Sequence, residues 1–232
     1  MKTNSIILYL VLLSATVYGQ EDSSSVQQDR LYFGLGLTTV TYHIYYNDSK
    51  LPPDVKAGYF TPVLFNVGYQ LNNKFRVQIG LGYGGSKDKI EWSLNHRDTD
   101  TAQYSTSTKT HVIAIPVSAH LVLFKALKRF PVYATGSVLT AYGSTRANVK
   151  ETANGEPSSQ NFKESGVNLF ATAGLGFNYR ISTRLMGYTE WLPFKENLTG
   201  QNSFHYDWEQ FSSKGRRLFR SFSVGINYKL KP

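Results

Sequence analysis

Residues 166–180 alternate with a period of two. Val167, Leu169, Ala171, Ala173, Leu175, Phe177 and Tyr179 fall on one face, and Asn168, Phe170, Thr172, Gly174, Gly176, Asn178 and Arg180 on the other. Successive side chains of a strand point to opposite sides, so this stretch reads as a strand with one apolar face and one small or polar face. The pattern returns along the chain. Val63, Phe65, Val67, Tyr69 and Leu71 oppose Asn66, Gly68 and Gln70, and Phe75, Val77, Ile79, Leu81 and Tyr83 oppose Arg76, Gln78, Gly80 and Gly82. Ile113, Ile115, Val117, Ala119, Leu121 and Leu123 oppose Pro116, Ser118 and His120; Phe222, Val224, Ile226, Tyr228 and Leu230 oppose Ser221, Ser223, Gly225, Asn227 and Lys229.

The breaks between these runs define the connections. A first strand over residues 31–46 slips in phase near Thr41 and Tyr42, which predicts a bulge there. A loop with Pro52-Pro53-Asp54 follows, and Asn72-Asn73 predicts a tight turn, being residues that tolerate positive φ. Pro116 lacks the N–H for a ladder bond, which predicts a bulge or break in the fourth strand. Residues 125–130 form a short basic turn. In the fifth strand, residues 131–148, the sequence does not fix which face is which. Residues 184–192 form the seventh strand, and residues 193–215 read as the longest loop.

The fold class expected is therefore all-β: an eight-stranded antiparallel up-and-down transmembrane β-barrel. Its connections run long, tight, long, short, long, short, long, the arrangement of outer-membrane barrels with short periplasmic turns. A soluble ligand-binding barrel would hide its apolar face inside. Here bulky Leu, Ile, Val and Phe suit the outside, while glycine beside long polar residues suits a narrow interior. Aromatic residues mark two bands: Phe33, Tyr69, Phe75, Phe124, Tyr179 and Tyr228 near the short turns, and Phe60, Tyr83, Trp92 and Trp191 near the long loops.

At the start, Lys2 precedes an apolar run over residues 6–13 and then small residues, so residues 1–19 read as a secretory signal cleaved after Gly19. Residues 20–30 read as a flexible periplasmic lead-in and residues 31–232 as the barrel. There is no cysteine, which excludes disulfides and thiol chemistry.

The signal, the Ile115-Pro116-Val117 step, the run Gly174-Leu175-Gly176-Phe177-Asn178-Tyr179 and the closing Ser223-Val224-Gly225-Ile226-Asn227-Tyr228-Lys229-Leu230 resemble the small outer-membrane β-barrels of Bacteroidota, the PorT-like or OmpA-like family. That resemblance implies the cell outer membrane as location. Where many such barrels end on an aromatic, here Tyr228 is followed by Lys229-Leu230-Lys231-Pro232.

A formal charge of +9 raises the question of nucleic acid. The excess gathers instead at the short turns, at Lys74, Lys125, Lys128, Arg129, Arg184, Lys229 and Lys231, which suits a rim facing acidic headgroups. Inside, Arg76, Arg180, Glu190 and Lys229 are expected to form an ion network plugging the lumen, with a gate or proton site as the alternative. Lys214, Arg216, Arg217 and Arg220 are placed to meet lipopolysaccharide phosphates. Phe204, Tyr206 and Trp208, alternating with polar residues, are candidates for binding a protein or glycan partner.

Enzymatic signals are sparse: Ser118 and His120 share an inward face with no acid assigned beside them. The histidines show no metal spacing, and no cofactor is expected. The reading is a monomeric outer-membrane barrel with a filled, non-conducting lumen, acting through its loops or periplasmic rim and binding no nucleic acid. The alternatives are an outer-membrane lipid hydrolase using Ser118 and His120, and a soluble secreted barrel binding an apolar ligand.

Overall fold

A computed structural model describes residues 30–46, 57–96, 100–127, 130–153, 156–199 and 213–230. Along them run β1 (Leu31–Thr38), β2 (Tyr42–Tyr45), β3 (Ala57–Phe60), β4 (Val63–Gln70), β5 (Phe75–His96), β6 (Asp100–Ala126), β7 (Phe130–Ala153), β8 (Glu156–Arg180), β9 (Leu185–Asn197), the helix α1 (Lys214–Phe219) and β10 (Phe222–Lys229). Eight strands close antiparallel in the order β1-β10-β9-β8-β7-β6-β5-β4, with β4 pairing back to β1. β2 and β3 form a separate two-stranded sheet.

The alternation decides which side of the wall each residue takes. Leu37, Val63, Ile79, Leu81, Ile113 and Val117 are more than half exposed, while Gly34, Asn66, Gly82, Ala114 and Ser118 on the other parity are buried. A barrel that keeps its polar residues inside and its branched apolar residues outside is built for lipid, and this excludes the soluble-barrel alternative. Of the aromatics assigned to the bands, Tyr69, Tyr83, Phe124, Tyr179, Trp191 and Tyr228 face outward and exposed. Phe60 does not: it is fully buried in the β2–β3 hairpin.

Several local expectations are corrected. The phase slip near Thr41 and Tyr42 is no bulge within a strand. β1 ends at Thr38, and the chain re-enters as β2, which pairs with β3. The tight turn expected at Asn72-Asn73 does form, without positive φ. The Asn72 side chain carries it, its Oδ1 accepting from the N–H groups of Lys74 and Phe75 at 2.8 Å each. At Pro116 the expected local break is present but no bulge: the β5–β6 ladder passes from Ile79–Val117 to Gly82–Ala114, leaving Pro116 and Ile115 unpaired with β5, without a change of register. The register shift of that strand lies instead between Val122 and Phe124. β7, whose facing was open, turns Tyr133, Thr135, Leu139, Ala141, Gly143, Thr145 and Ala147 inward. β9 continues past Pro193 to Asn197, and part of what read as the longest loop is α1.

The wall is lopsided. β1, β4 and β10 have 8 residues each, whereas β5, β6, β7 and β8 have 22, 27, 24 and 25. About 10 residues suffice to cross a bilayer. The outward apolar residues of the long strands stop at Tyr83, Ile113, Tyr142 and Val167, and beyond them the four strands continue as a tall sheet whose outer face is polar.

Candidate functional site

The barrel interior changes character with height. Toward the short turns it is polar. The Tyr133 hydroxyl donates to Glu190 Oε1 at 2.9 Å, and His120 Nε2 bonds the same oxygen at 3.2 Å. Arg76 lies with its guanidinium carbon 4.4 Å from the Tyr133 ring centroid and donates to Asn178 Oδ1 at 3.2 Å. Tyr32 donates to Gln78 Oε1 at 3.3 Å. All of these side chains but Gln78, which is partly exposed, are buried. Glycine makes the room: a side chain at Gly68 would collide with the Tyr32 ring, and one at Gly176 with Tyr133. Each ring thus lies over the bare glycine that is its register partner on the neighbouring strand.

Two residues expected in this network lie elsewhere. Arg180 is the last residue of β8 and exposed, and Lys229, the last of β10, is only half-buried. Their parity points inward, but a side chain at a strand's end reaches solvent past the rim. The buried groups around Glu190 are instead His120 and Tyr133. An acid does therefore stand beside His120, contrary to expectation. Ser118 and His120 point into the barrel, away from the lipid that a hydrolase must reach.

Toward the long loops the interior is apolar, and the β2–β3 hairpin occupies it. Val40, Ile44 and Phe60 are completely buried in a cluster with Val112, Leu139, Ala141, Phe170 and Leu192 of the inner wall. Tyr42 stacks on Phe60 at 5.2 Å and meets Phe170 edge-on at 5.1 Å. Each fully buried side chain of this size contributes roughly 1.5–3 kcal/mol, so the hairpin is held firmly. Gly143 gives Ile44 its place, since any side chain there would strike it.

Polar groups latch the hairpin edges. Asn168 imitates a strand backbone: its Oδ1 accepts from the Tyr45 N–H and its Nδ2 donates to the Tyr45 carbonyl, both at 3.2 Å. Asn197 Nδ2 donates to the His43 carbonyl at 3.2 Å and to Asn168 Oδ1 at 2.9 Å. The hydroxyls of Tyr46 and Thr145 bond at 2.8 Å, as do those of Thr145 and Thr110. On the far side of the hairpin, His43, Gly58 and Tyr59 face Asp88, Ile90, Thr106 and Thr108 across a shallow cleft, with Tyr59 donating to Asp88 at 2.9 Å. Burial holds the His43 pKa down at about 4, helped by Arg220 and Lys195.

Sequence reasoning missed the hairpin plug. The signal available was Phe170, a large apolar side chain on the otherwise small or polar face of its strand.

Outside, α1 begins at Ser213, whose hydroxyl accepts from the Arg216 N–H at 3.3 Å. Lys214 and Arg216 are exposed, Arg217 and Arg220 half-buried. Their backbone ties α1 to the rim: Ser221 Oγ donates to the Arg217 carbonyl at 2.7 Å and Lys195 Nζ to the Arg220 carbonyl at 3.1 Å. Phe204, Tyr206 and Trp208 lie outside the described residues, as do residues 1–29. Among the described residues no cluster of His, Cys, Asp and Glu could hold a metal ion.

Residues 27–208 match the family model described as "Outer membrane protein beta-barrel domain". Among solved structures, the attachment invasion locus protein Ail of Yersinia pestis is similar at 12% identity, covering 85% of this chain and 91% of that one with a TM-score of 0.32. Neisserial surface protein A is similar at 9% identity, covering 88% and 98% with a TM-score of 0.38. CarO2 of Acinetobacter baumannii is similar at 13% identity, covering 87% and 98% with a TM-score of 0.27. No curated protein matches this sequence.

Proposed function

Since the chain belongs to the outer-membrane β-barrel domain family, we propose that it serves as a non-conducting membrane anchor which presents its four long strands outside the cell as an interaction surface. The observation that carries this reading is the double occupation of the interior. The hairpin's aromatic and aliphatic side chains pack in the mouth, and the hydrogen-bonded set around Glu190 crosses the lumen below them. Eight strands enclose only enough space for side chains, so a pore would need both levels to clear. In this reading the signal is removed after Gly19 and the tall sheet of β5–β8 rises from the outer leaflet, with the short turns in the periplasm.

A lipid hydrolase is less well supported, because Ser118 and His120 are buried on the luminal side of the wall. The test is conductance of the purified protein in a planar bilayer. No steady open-channel current is expected from the wild type; sustained current at neutral pH would remove the anchor reading and restore the gate.

A further inference from the structure

The outer face of the tall sheet carries a row of cations. In the strand register Lys87 faces Lys109, Lys109 faces Arg146 and Arg146 faces Lys163. All four are exposed, and each stands two outward positions beyond the last outward apolar residue of its strand, Tyr83, Ile113, Tyr142 or Val167. Directly opposed side chains in a sheet have Cβ atoms about 4.5–5.5 Å apart, and like charges so placed repel. Four in succession gain from a multivalent anion laid across them.

The acids of this sheet do not relieve the row. Asp88, Glu151 and Glu164 have the opposite parity and point to the inner face, where Asp88 accepts from Tyr59 and Glu151 from Tyr104. Among the described residues Glu91 is the acid of the outer face, and it pairs with Lys89.

Height identifies the anion. Lys87 lies four residues beyond Tyr83, about 13 Å along the strand and about 10 Å upward at a tilt near 40°. The row climbs from there: Phe75 opens β5, while Leu175 in the same cross-strand row stands five residues above the end of β8 at Arg180. Each strand crossed adds roughly 3 Å of height. The track therefore begins at the headgroup level, continuous with the apolar belt, and rises into the layer above it.

We propose that Lys87, Lys109, Arg146 and Lys163 form a binding site for the phosphate groups of a phosphorylated glycolipid of the outer leaflet. Arg146 offers a planar fork for bidentate bonds to one phosphate, and the lysines act as point charges on either side. The proposal rests on the outer-membrane placement of the barrel.

The test uses the folded protein in detergent, with folding checked by the faster gel migration of the unheated sample. It is mixed with bisphosphorylated lipid A, dephosphorylated lipid A or inorganic polyphosphate, and bound ligand is read by native mass spectrometry. The wild type is expected to retain bisphosphorylated lipid A, and the Lys87→Gln/Lys109→Gln/Arg146→Gln/Lys163→Gln variant to bind it at least tenfold more weakly. Dephosphorylated lipid A should bind both proteins equally and weakly. Where the quadruple variant does not fold, Lys109→Gln/Arg146→Gln, at the centre of the row, should still lose threefold or more. Equal retention by wild type and variant overturns the site. So does polyphosphate bound as tightly as lipid A, which would mean a dissolved polyanion, or an equal loss in a Lys214→Gln/Arg216→Gln control on α1. Failure of the protein to enter lipid bilayers at all would count against the outer-membrane reading itself, and is scored separately by liposome flotation.

Discussion

Glu190 sits at mid-wall with one carboxylate oxygen serving both Tyr133 and His120, and with Arg76 stacked on the same Tyr133 ring. Removing one member of such a set differs from replacing it by a neutral isostere. Glu190→Gln keeps an acceptor for Tyr133 and is expected to destabilise by about 1–2 kcal/mol. Glu190→Ala leaves the buried Tyr133 hydroxyl and the buried His120 ring without their shared partner, which should cost about 1–3 kcal/mol for each. Urea midpoints of the liposome-folded variants measure the difference; an alanine variant as stable as the glutamine one would mean that water replaces the carboxylate freely. The glycine positions argue the same way. Gly68→Val puts a branched side chain where the Tyr32 ring lies, and overpacking of this kind costs about 1–3 kcal/mol.

The hairpin of β2 and β3 is an element whose stability depends on pH. His43 has its pKa lowered by burial to about 4, against 6.5 when unfolded. The unfolded chain therefore binds this proton more readily, and protonation opposes the seated hairpin. The contribution is complete above pH 6.5, is lost as pH falls from 6.5 toward 4, and changes no further below that. The difference of about 2.5 pH units corresponds to about 3 kcal/mol at most. Charges facing His43 act in the same sense, because Arg220 and Lys195 disfavour a further cation, while Asp88 across the cleft is engaged by Tyr59. Denaturation midpoints measured between pH 7 and pH 4 should fall more for the wild type than for His43→Gln. Parallel curves would show that the ring is wetter than its burial implies.

At the scale of the whole molecule, what the sequence makes legible is whatever repeats. Period-two alternation in residues 63–70, 75–83, 113–123, 166–180 and 222–229 is enough to derive a closed wall with lipid outside, because each strand votes independently for the same geometry. What does not repeat is hidden. Val40, Tyr42, Ile44 and Phe60 look like strand residues anywhere, and only tertiary packing tells that they turn into the barrel instead of continuing its wall. His120 carries no local mark that an acid 70 positions later will reach it. The cation row is invisible until the register sets residues 87, 109, 146 and 163 side by side. Division of labour between wall and sheet gives a last expectation. The closed ring ends where β4, β1 and β10 end, so the upper parts of β5–β8 add pairing only among themselves. The hairpin's bonds lie at or below Thr110, Thr145 and Asn168, apart from the Tyr59–Asp88 bond; above that level Ala147 and Phe162 add packing, and Ile90, Thr106 and Thr108 line the cleft beside His43 and Tyr59. Deleting residues 89–107 and 149–160, and closing each hairpin with an Asn-Gly turn at the Asp88–Thr108 and Asn148–Asn161 pairs, preserves the register below. The shortened protein should fold, insert, keep its heat-dependent gel shift and lose no more than about 2 kcal/mol, the worth of the peripheral contacts removed. A shortened chain that no longer closes would show instead that the tall sheet is the nucleus on which the barrel assembles.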